Sequence, residues 1–154
     1  MKKVFQEVVD NNIGDCTRAV IASILEVDMD MVPHFNKWNS KFPGYWFTIF
    51  TSFMYGLGWK YISSEHIIDV TRKEPLVFPL DGSIDGYFYA SVPSKTFENV
   101  SHAVVMNTNG VVSHDPNPNQ LWSGENIIET GKAKQWFKFK RCDMDESYCR
   151  MMSN

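Results

Sequence analysis

Residues 101–118 read SHAVVMNTNGVVSHDPNP, and this stretch predicts a β-hairpin. Asn-Gly between two valine-rich runs is a strong hairpin signal. A two-residue turn at Asn109-Gly110, or a four-residue loop over 107–110, puts Asp115 on the sheet face of His102, directly opposite or on the diagonal. A three-residue loop would move one strand to the other face. The stretch therefore predicts an imidazole with a carboxylate beside it, which fixes the tautomer of the ring.

The rest of the chain divides into helices followed by strands. The predicted strands have aromatic and β-branched residues between Pro, Gly, Asn and Asp: 59–63, 67–71, 76–78, 86–92, 102–107, 110–114 and 135–141. The first third predicts helices over about 16–26 and 45–57, with one short helical turn after Asp28. This order predicts an α+β fold with N-terminal helices packed on an antiparallel sheet.

Size, charge and composition limit the class of protein. The 154 residues are 44% hydrophobic, which predicts a single domain over 1–154, with its core at about 4–141 and a polar tail or short helix at 142–154. A net charge of −3 without a basic run disfavours nucleic acid as a partner. The longest uncharged run, residues 44–59, is shorter than the roughly 20 residues of a membrane span, so no membrane partner is expected.

The cysteines are Cys16, Cys142 and Cys149. The N-terminal lysines are followed by acidic residues rather than by the apolar segment of a secretion signal. We therefore expect a cytoplasmic protein, in the host cytoplasm if a phage encodes it, with reduced thiols. A bridge between Cys142 and Cys149 is the alternative.

Cys16 falls in the first turn of the first predicted helix, with Asp15 as a candidate N-cap. The helix dipole and the unpaired N–H groups of that turn favour a thiolate, and a neighbouring imidazolium lowers the pKa of the thiol further. A cysteine at a helix start, with His102 and Asp115 on later strands, is the layout of a Cys-His-Asp nucleophilic site. Asn117 is the alternative to Asp115 as the third member. The backbone N–H of Cys16 is one candidate donor to an oxyanion.

Several motifs occur in order along the chain, over roughly residues 4–120. They are Gln6, Gly14-Asp15-Cys16, Ala19 with Ala22-Ser23-Ile24-Leu25, Val32-Pro33-His34-Phe35, Ser101-His102-Ala103-Val104-Val105 and His114-Asp115-Pro116-Asn117-Pro118. Together they resemble small papain-like cysteine hydrolases, which occur in phage and bacterial sequences and are distantly similar to bacteriocin-leader peptidases.

The resemblance implies a papain-like fold and a role for four residues. Cys16 would match the nucleophile, His102 the general base, Asp115 the residue that orients the base, and Gln6 the amide of the oxyanion hole. Gln6 lies ten residues before Cys16, which is farther than usual in papain-like enzymes. Asn11 and Asn12 are therefore alternatives for the oxyanion donor.

Two functions from different classes follow from these observations. The first is a cysteine-dependent hydrolase or acyltransferase that acts on a peptide or a small amide or thioester through an acyl-enzyme. The second is a non-catalytic phage or bacterial accessory protein on the same scaffold, which sequesters a small molecule or docks on a host protein. It is suggested by the position of Gln6 and by Thr17, where many related peptidases have glycine.

No cofactor is expected. Cys16, His102, His114 and Asp115 could in principle ligate a metal, but the chain has no Cys-x-x-Cys or His-x-x-x-His spacing that would preorganise a site. His114 precedes Asp115 and therefore points to the other face of its strand, which favours a solvent-facing or supporting role.

Overall fold

The computed structural model describes residues 1–11, 14–64, 80 and 82–142. In this part of the chain there are three α-helices and five strands. The helices are α1 (Cys16–Leu25), α2 (Phe35–Lys41) and α3 (Trp46–Gly56), with short 3-10 helices at Met29–Met31 and Ile84–Gly86. The strands are β1 (Trp59–Ser63), β2 (Phe88–Pro93), β3 (Ser101–Met106), β4 (Val112–His114) and β5 (Gln135–Arg141).

The predicted order of helices followed by an antiparallel sheet is confirmed. The helices predicted over 16–26 and 45–57 and the strands predicted over 59–63 and 135–141 are each found within one residue of their predicted ends. The strands predicted at 67–71 and 76–78 lie outside the described residues. Helix α2 was not predicted from the sequence.

The strands form one sheet in the order β1-β5-β2-β3-β4, and every neighbouring pair is antiparallel. Successive side chains of a strand alternate between faces. Ala103 and Val105 of β3 belong to a core shared with α1 and α3. Val104 and Met106 belong to a second core, which Trp122 closes from the segment after β4. The sheet is therefore covered on both faces.

The hairpin joining β3 and β4 has a three-residue loop. The N–H of Asn107 donates to the carbonyl of Val111 at 2.9 Å, which leaves residues 108–110 as the loop. Gly110 has a φ of +79°, and a Cβ there would lie 2.9 Å from the side chain of Ile128, so both backbone and space require glycine. The predicted two-residue and four-residue loops are both wrong.

A β-bulge offsets the effect of this odd loop. Met106 pairs with Val112, but Val105 pairs with His114, so Ser113 is an extra residue in β4. The extra residue shifts the register by one and returns Asp115 to the sheet face of His102. The predicted pairing of the two side chains is therefore found, although the turn that produces it differs.

The prediction of reduced thiols is wrong at Cys142. Cys16 is free and buried, whereas Cys142 is disulfide-bonded. Disulfides are rare in the cytosol, and the cytoplasmic location stays a prediction. No helix within the described ranges has the length and apolar character to cross a membrane.

Candidate active site

Asp15 is the N-cap residue of α1, as predicted, and its carbonyl accepts the N–H of Ala19 at 3.0 Å. Its carboxylate makes no hydrogen bond to the first turn of the helix and instead accepts the backbone N–H groups of Glu7 at 3.1 Å and Val8 at 2.9 Å. The N-terminal segment is therefore tied beside the cysteine, and the N–H of Thr17 in the first turn helps to lower the pKa of the Cys16 thiol.

Asn36 of α2 holds the same loop from the other side. Its Nδ2 donates to the carbonyl of Gly14 at 2.6 Å. Gly14 itself is packed so closely that a Cβ would lie 2.6 Å from the backbone oxygen of Asp10. The two residues before Cys16 are thus positioned by contacts from two separate segments of the chain.

Replacing Gly14 by alanine is expected to lower the free energy of unfolding by about 1–3 kcal/mol, because backbone atoms would have to move to admit the methyl group. Urea unfolding measures the change. Gly56→Ala is the matched control, since a Cβ at Gly56 meets nothing within 4 Å. The control should be neutral or slightly stabilising in the last turn of α3. Equal stability of the two variants would contradict the close packing at Gly14.

The structure brings Cys16, His102 and Asp115 together. Nε2 of His102 lies 2.6 Å from Oδ1 of Asp115. The imidazole is also close enough to the sulfur of Cys16 for the two groups to shift each other's pKa, and both residues line the same two cavities. Because Nε2 is engaged by the carboxylate, Nδ1 is the ring nitrogen left for proton exchange with the thiol.

Backbone donors hold Asp115 in this orientation. Its Oδ1 also accepts the N–H of Asn117, and its Oδ2 accepts the N–H of Trp122, both at 3.0 Å. The side-chain oxygen of Asn117 accepts the N–H of Asn119 at 2.9 Å. Asp115, rather than its alternative Asn117, therefore contacts His102.

The three groups shift one another's pKa. Burial raises the pKa of the Cys16 thiol, but the hydrogen bond and charge of His102, with the N–H groups of Ala103 and Thr17, outweigh it and hold the pKa below the ordinary 9.0. Burial lowers the pKa of His102, but its hydrogen bonds to Asp115 and Cys16 raise it to about 9. Burial raises the pKa of Asp115, but the hydrogen bond and charge of His102 outweigh burial and hold this pKa below its ordinary 3.8. These directions favour a thiolate–imidazolium pair at neutral pH.

Gln6 lies in the wall of the same site but is already hydrogen-bonded. It is 8% exposed and lines a cavity with Cys16. Its Nε2 donates to the carbonyl of Val8 at 2.9 Å, and its Oε1 has no partner within the described part of the chain. One amide hydrogen is left for an oxyanion. Asn11 lies in the same wall, and Asn12 is outside the described residues.

His114 supports the fold and is not part of the site. It lies on the opposite face of β4, as expected, but it is 1% exposed, so the solvent-facing alternative is wrong. Its Nε2 lies 2.6 Å from the carbonyl oxygen of Val4, and its ring makes an edge contact with Phe5. Among the described residues, no group of three or more His, Cys, Asp or Glu side chains could hold a metal ion.

Two cavities meet at Cys16 and His102. The first, which we call the polar cavity, has a volume of about 50 Å³, and Gln6, Asn11, Thr96 and Asn117 line it. The second, which we call the aromatic cavity, has a volume of about 230 Å³, and Trp46, Phe47, Tyr89 and Phe137 line it. Apolar side chains, among them Phe97, Leu121 and Trp122, also line the polar cavity. The thiol is thus reachable from two sides, of which the aromatic cavity has the larger volume.

No family model, curated protein or solved structure matches the chain.

Proposed function

We propose that the protein is a papain-like cysteine hydrolase or acyltransferase that uses Cys16, His102 and Asp115. The observation that carries the proposal is that His102 is hydrogen-bonded to Asp115 and coupled to the Cys16 thiol, with all three residues lining one cavity. The three residues have the pKa directions that a nucleophile paired with an acid–base group needs. Cys16 and His102 line two cavities that are large enough to admit part of a substrate.

In the proposed reaction the Cys16 thiolate attacks the carbonyl carbon of an amide or thioester. The carbonyl electron pair moves to oxygen, and the backbone N–H of Cys16 and the remaining amide hydrogen of Gln6 are the candidate donors to that oxyanion. The imidazolium of His102 then gives its Nδ1 proton to the leaving amine or thiol as the C–N or C–S bond breaks. An acyl group remains on Cys16.

The second half of the reaction regenerates the thiol. His102, now neutral, takes a proton from a water molecule or an acceptor amine, whose oxygen or nitrogen attacks the acyl carbon. The bond from carbon to sulfur breaks, and the thiolate reforms beside the imidazolium. Asp115 stabilises that imidazolium and fixes the orientation of the ring throughout.

Alkylation of Cys16 by iodoacetamide tests the activated nucleophile. An ordinary thiol loses about tenfold in rate for each pH unit below its pKa, because only the thiolate reacts. We expect Cys16 to keep most of its rate into mildly acidic solution, measured by mass mapping of the labelled peptide without reductant. Cys16→Ser is the control for labelling elsewhere. A tenfold loss per unit from pH 8 downward would contradict the activation of Cys16.

A panel of aryl esters and thioesters distinguishes an enzyme from a binding protein on the same scaffold. The proposed function predicts that intact mass rises by one acyl group on Cys16 and returns to its starting value as the acyl-enzyme turns over. Activated alkylation without acylation by any member of the panel would favour the non-catalytic accessory protein.

A further inference from the structure

Among the described residues, those that line the aromatic cavity carry no charged side chain apart from the Cys16–His102 pair. Trp46 and Phe47 come from the first turn of α3, and Tyr89 and Phe137 come from β2 and β5. The other described residues that line it are small or uncharged: Thr17, Asn36, Ser91, Ser101, Ala103 and Gln135. Such a surface gains free energy by burying apolar groups and loses it by desolvating a charge.

Three of the four aromatic walls are fixed by the core. The ring of Trp46 stacks on Phe50 at 5.2 Å, and the ring of Phe137 stacks on Tyr89, also at 5.2 Å. The hydroxyl of Tyr89 lies 3.2 Å from that of Thr17, so its polar end already has a hydrogen-bond partner. The cavity therefore offers preformed ring faces, as small-molecule sites do.

Phe47 is the fourth wall, and it is 50% exposed. Its ring centroid is 5.0 Å from that of Trp46, in an edge-to-face contact. An apolar group that enters the cavity would cover the exposed part of Phe47 and remove its surface from water. This residue can also be changed without opening a hole in the core.

We propose that the aromatic cavity binds an uncharged aromatic or branched aliphatic group of the substrate, directly beside the bond that Cys16 attacks. The inference rests on the proposed function. The volume of about 230 Å³ is below the range of roughly 300–1,000 Å³ for whole drug-sized ligands, so the cavity holds one side group. The substrate is then an amide or thioester with an apolar group on one side of its carbonyl and a hydrogen-bonding group facing the polar cavity.

The rates of iodoacetamide and N-benzyl-2-iodoacetamide measure this preference. In both reactions the thiolate sulfur forms a bond to carbon while the C–I bond breaks and iodide leaves with the electron pair. The reagents differ only in the benzyl group, and each rate constant is divided by that for glutathione. We expect the benzyl reagent to be favoured by about tenfold, the lower end of what an apolar pocket gives. N-(4-carboxybenzyl)-2-iodoacetamide should show no advantage.

Phe47→Ala should bring the ratio of the two normalised rate constants toward one. Phe42→Ala is the matched control, because Phe42 is also 50% exposed but lines neither cavity, and it should leave the ratio unchanged. Thermal unfolding of both variants checks that they fold.

The possible failures are distinguishable. A wild-type ratio near one, with fast iodoacetamide labelling, would overturn the aromatic cavity as a binding site and leave the nucleophile in place. An equal loss of the ratio in both variants would also overturn it. Slow labelling by both reagents would contradict the proposed function itself.

Discussion

Replacing His102 by alanine is expected to move the pH midpoint of Cys16 alkylation upward, toward or beyond the ordinary thiol value of 9.0. Burial alone raises the pKa of this thiol, and the hydrogen bond and charge of His102 are the largest effects that lower it. Without the imidazolium, the thiolate keeps only the N–H groups of Ala103 and Thr17. The pH profile of the alkylation rate measures the shift.

The loss of rate is expected to be largest at mildly acidic pH. A thiolate of low pKa is intrinsically less nucleophilic, with a Brønsted coefficient of about 0.4–0.5, which partly cancels its larger population. Near neutral pH the two effects act in opposite directions, so the change in rate is smaller there than in acid. At about pH 5.5 the population dominates, and the alkylation rate of His102→Ala should be at least tenfold lower than that of the wild type.

In His102→Ala, turnover of an acylating ester should fall by more than the alkylation rate, by about 100- to 10,000-fold, because both proton transfers depend on this imidazole. His102→Asn should show the same losses, since an amide of similar polarity cannot become a cation. His34→Ala is the matched control, because His34 caps α2 and lines neither of the two cavities at Cys16. An unchanged pH profile in folded His102→Ala would contradict the pairing of the imidazole with the thiol.

Local sequence patterns predicted the strand that contains His102 and the strand that ends just before Asp115, but they could not predict the turn between them. Asn-Gly suits a two-residue turn, and a glycine with positive φ also suits the last position of a three-residue loop. The bulge at Ser113 has no sequence signal that distinguishes it from regular strand. The three-residue loop and the bulge each shift the register by one residue, and the two shifts cancel. Asp115 therefore lies on the predicted sheet face although the turn differs.

Residues fixed by distant contacts were harder to predict. Helix α2 contains two asparagines and a serine, which are poor helix formers. The buried ring of Phe35 supports it by packing edge-on against Phe50 at 5.8 Å. Because the helix depends on this packing, no local sequence pattern predicts that Asn36 reaches Gly14. The side chain of Asp15 similarly binds N–H groups of Glu7 and Val8 rather than its own helix.

Asp115→Asn is expected to lower the free energy of unfolding at neutral pH by about 3 kcal/mol. The carboxylate accepts three hydrogen bonds. Its Oδ1 accepts from the ring of His102 and the N–H of Asn117, and its Oδ2 accepts from the N–H of Trp122. An asparagine has one acceptor oxygen, so at least one buried donor would face its NH₂ group. The substitution also removes the negative charge beside the imidazolium. Urea unfolding measures the change, and Asp30→Asn is the control because that side chain is 97% exposed.

The pH dependence of stability gives a sharper test than the size of the loss. The folded pKa of Asp115 lies below its ordinary 3.8, so the stability that it contributes is present above 3.8 and is lost as pH falls through the folded value. His102 has the opposite sign. Its pKa is raised from 6.5 to about 9, so its contribution is present below 6.5 and is lost as pH rises through about 9.

In Asp115→Asn both of these contributions should shrink together. The acid-side loss of stability disappears because the asparagine does not titrate, and the contribution of His102 becomes smaller because the ring has lost a partner that raises its pKa. The lowered pKa of Cys16 gives a contribution that grows as the pH rises toward 9.0, so in the wild type it offsets the loss of the His102 contribution. In Cys16→Ser the loss above pH 6.5 is no longer offset, and adding Asp115→Asn should flatten it almost completely. If Cys16→Ser and the double variant had the same pH dependence, Asp115 and His102 would not be coupled, and the proposed site would lose its third member.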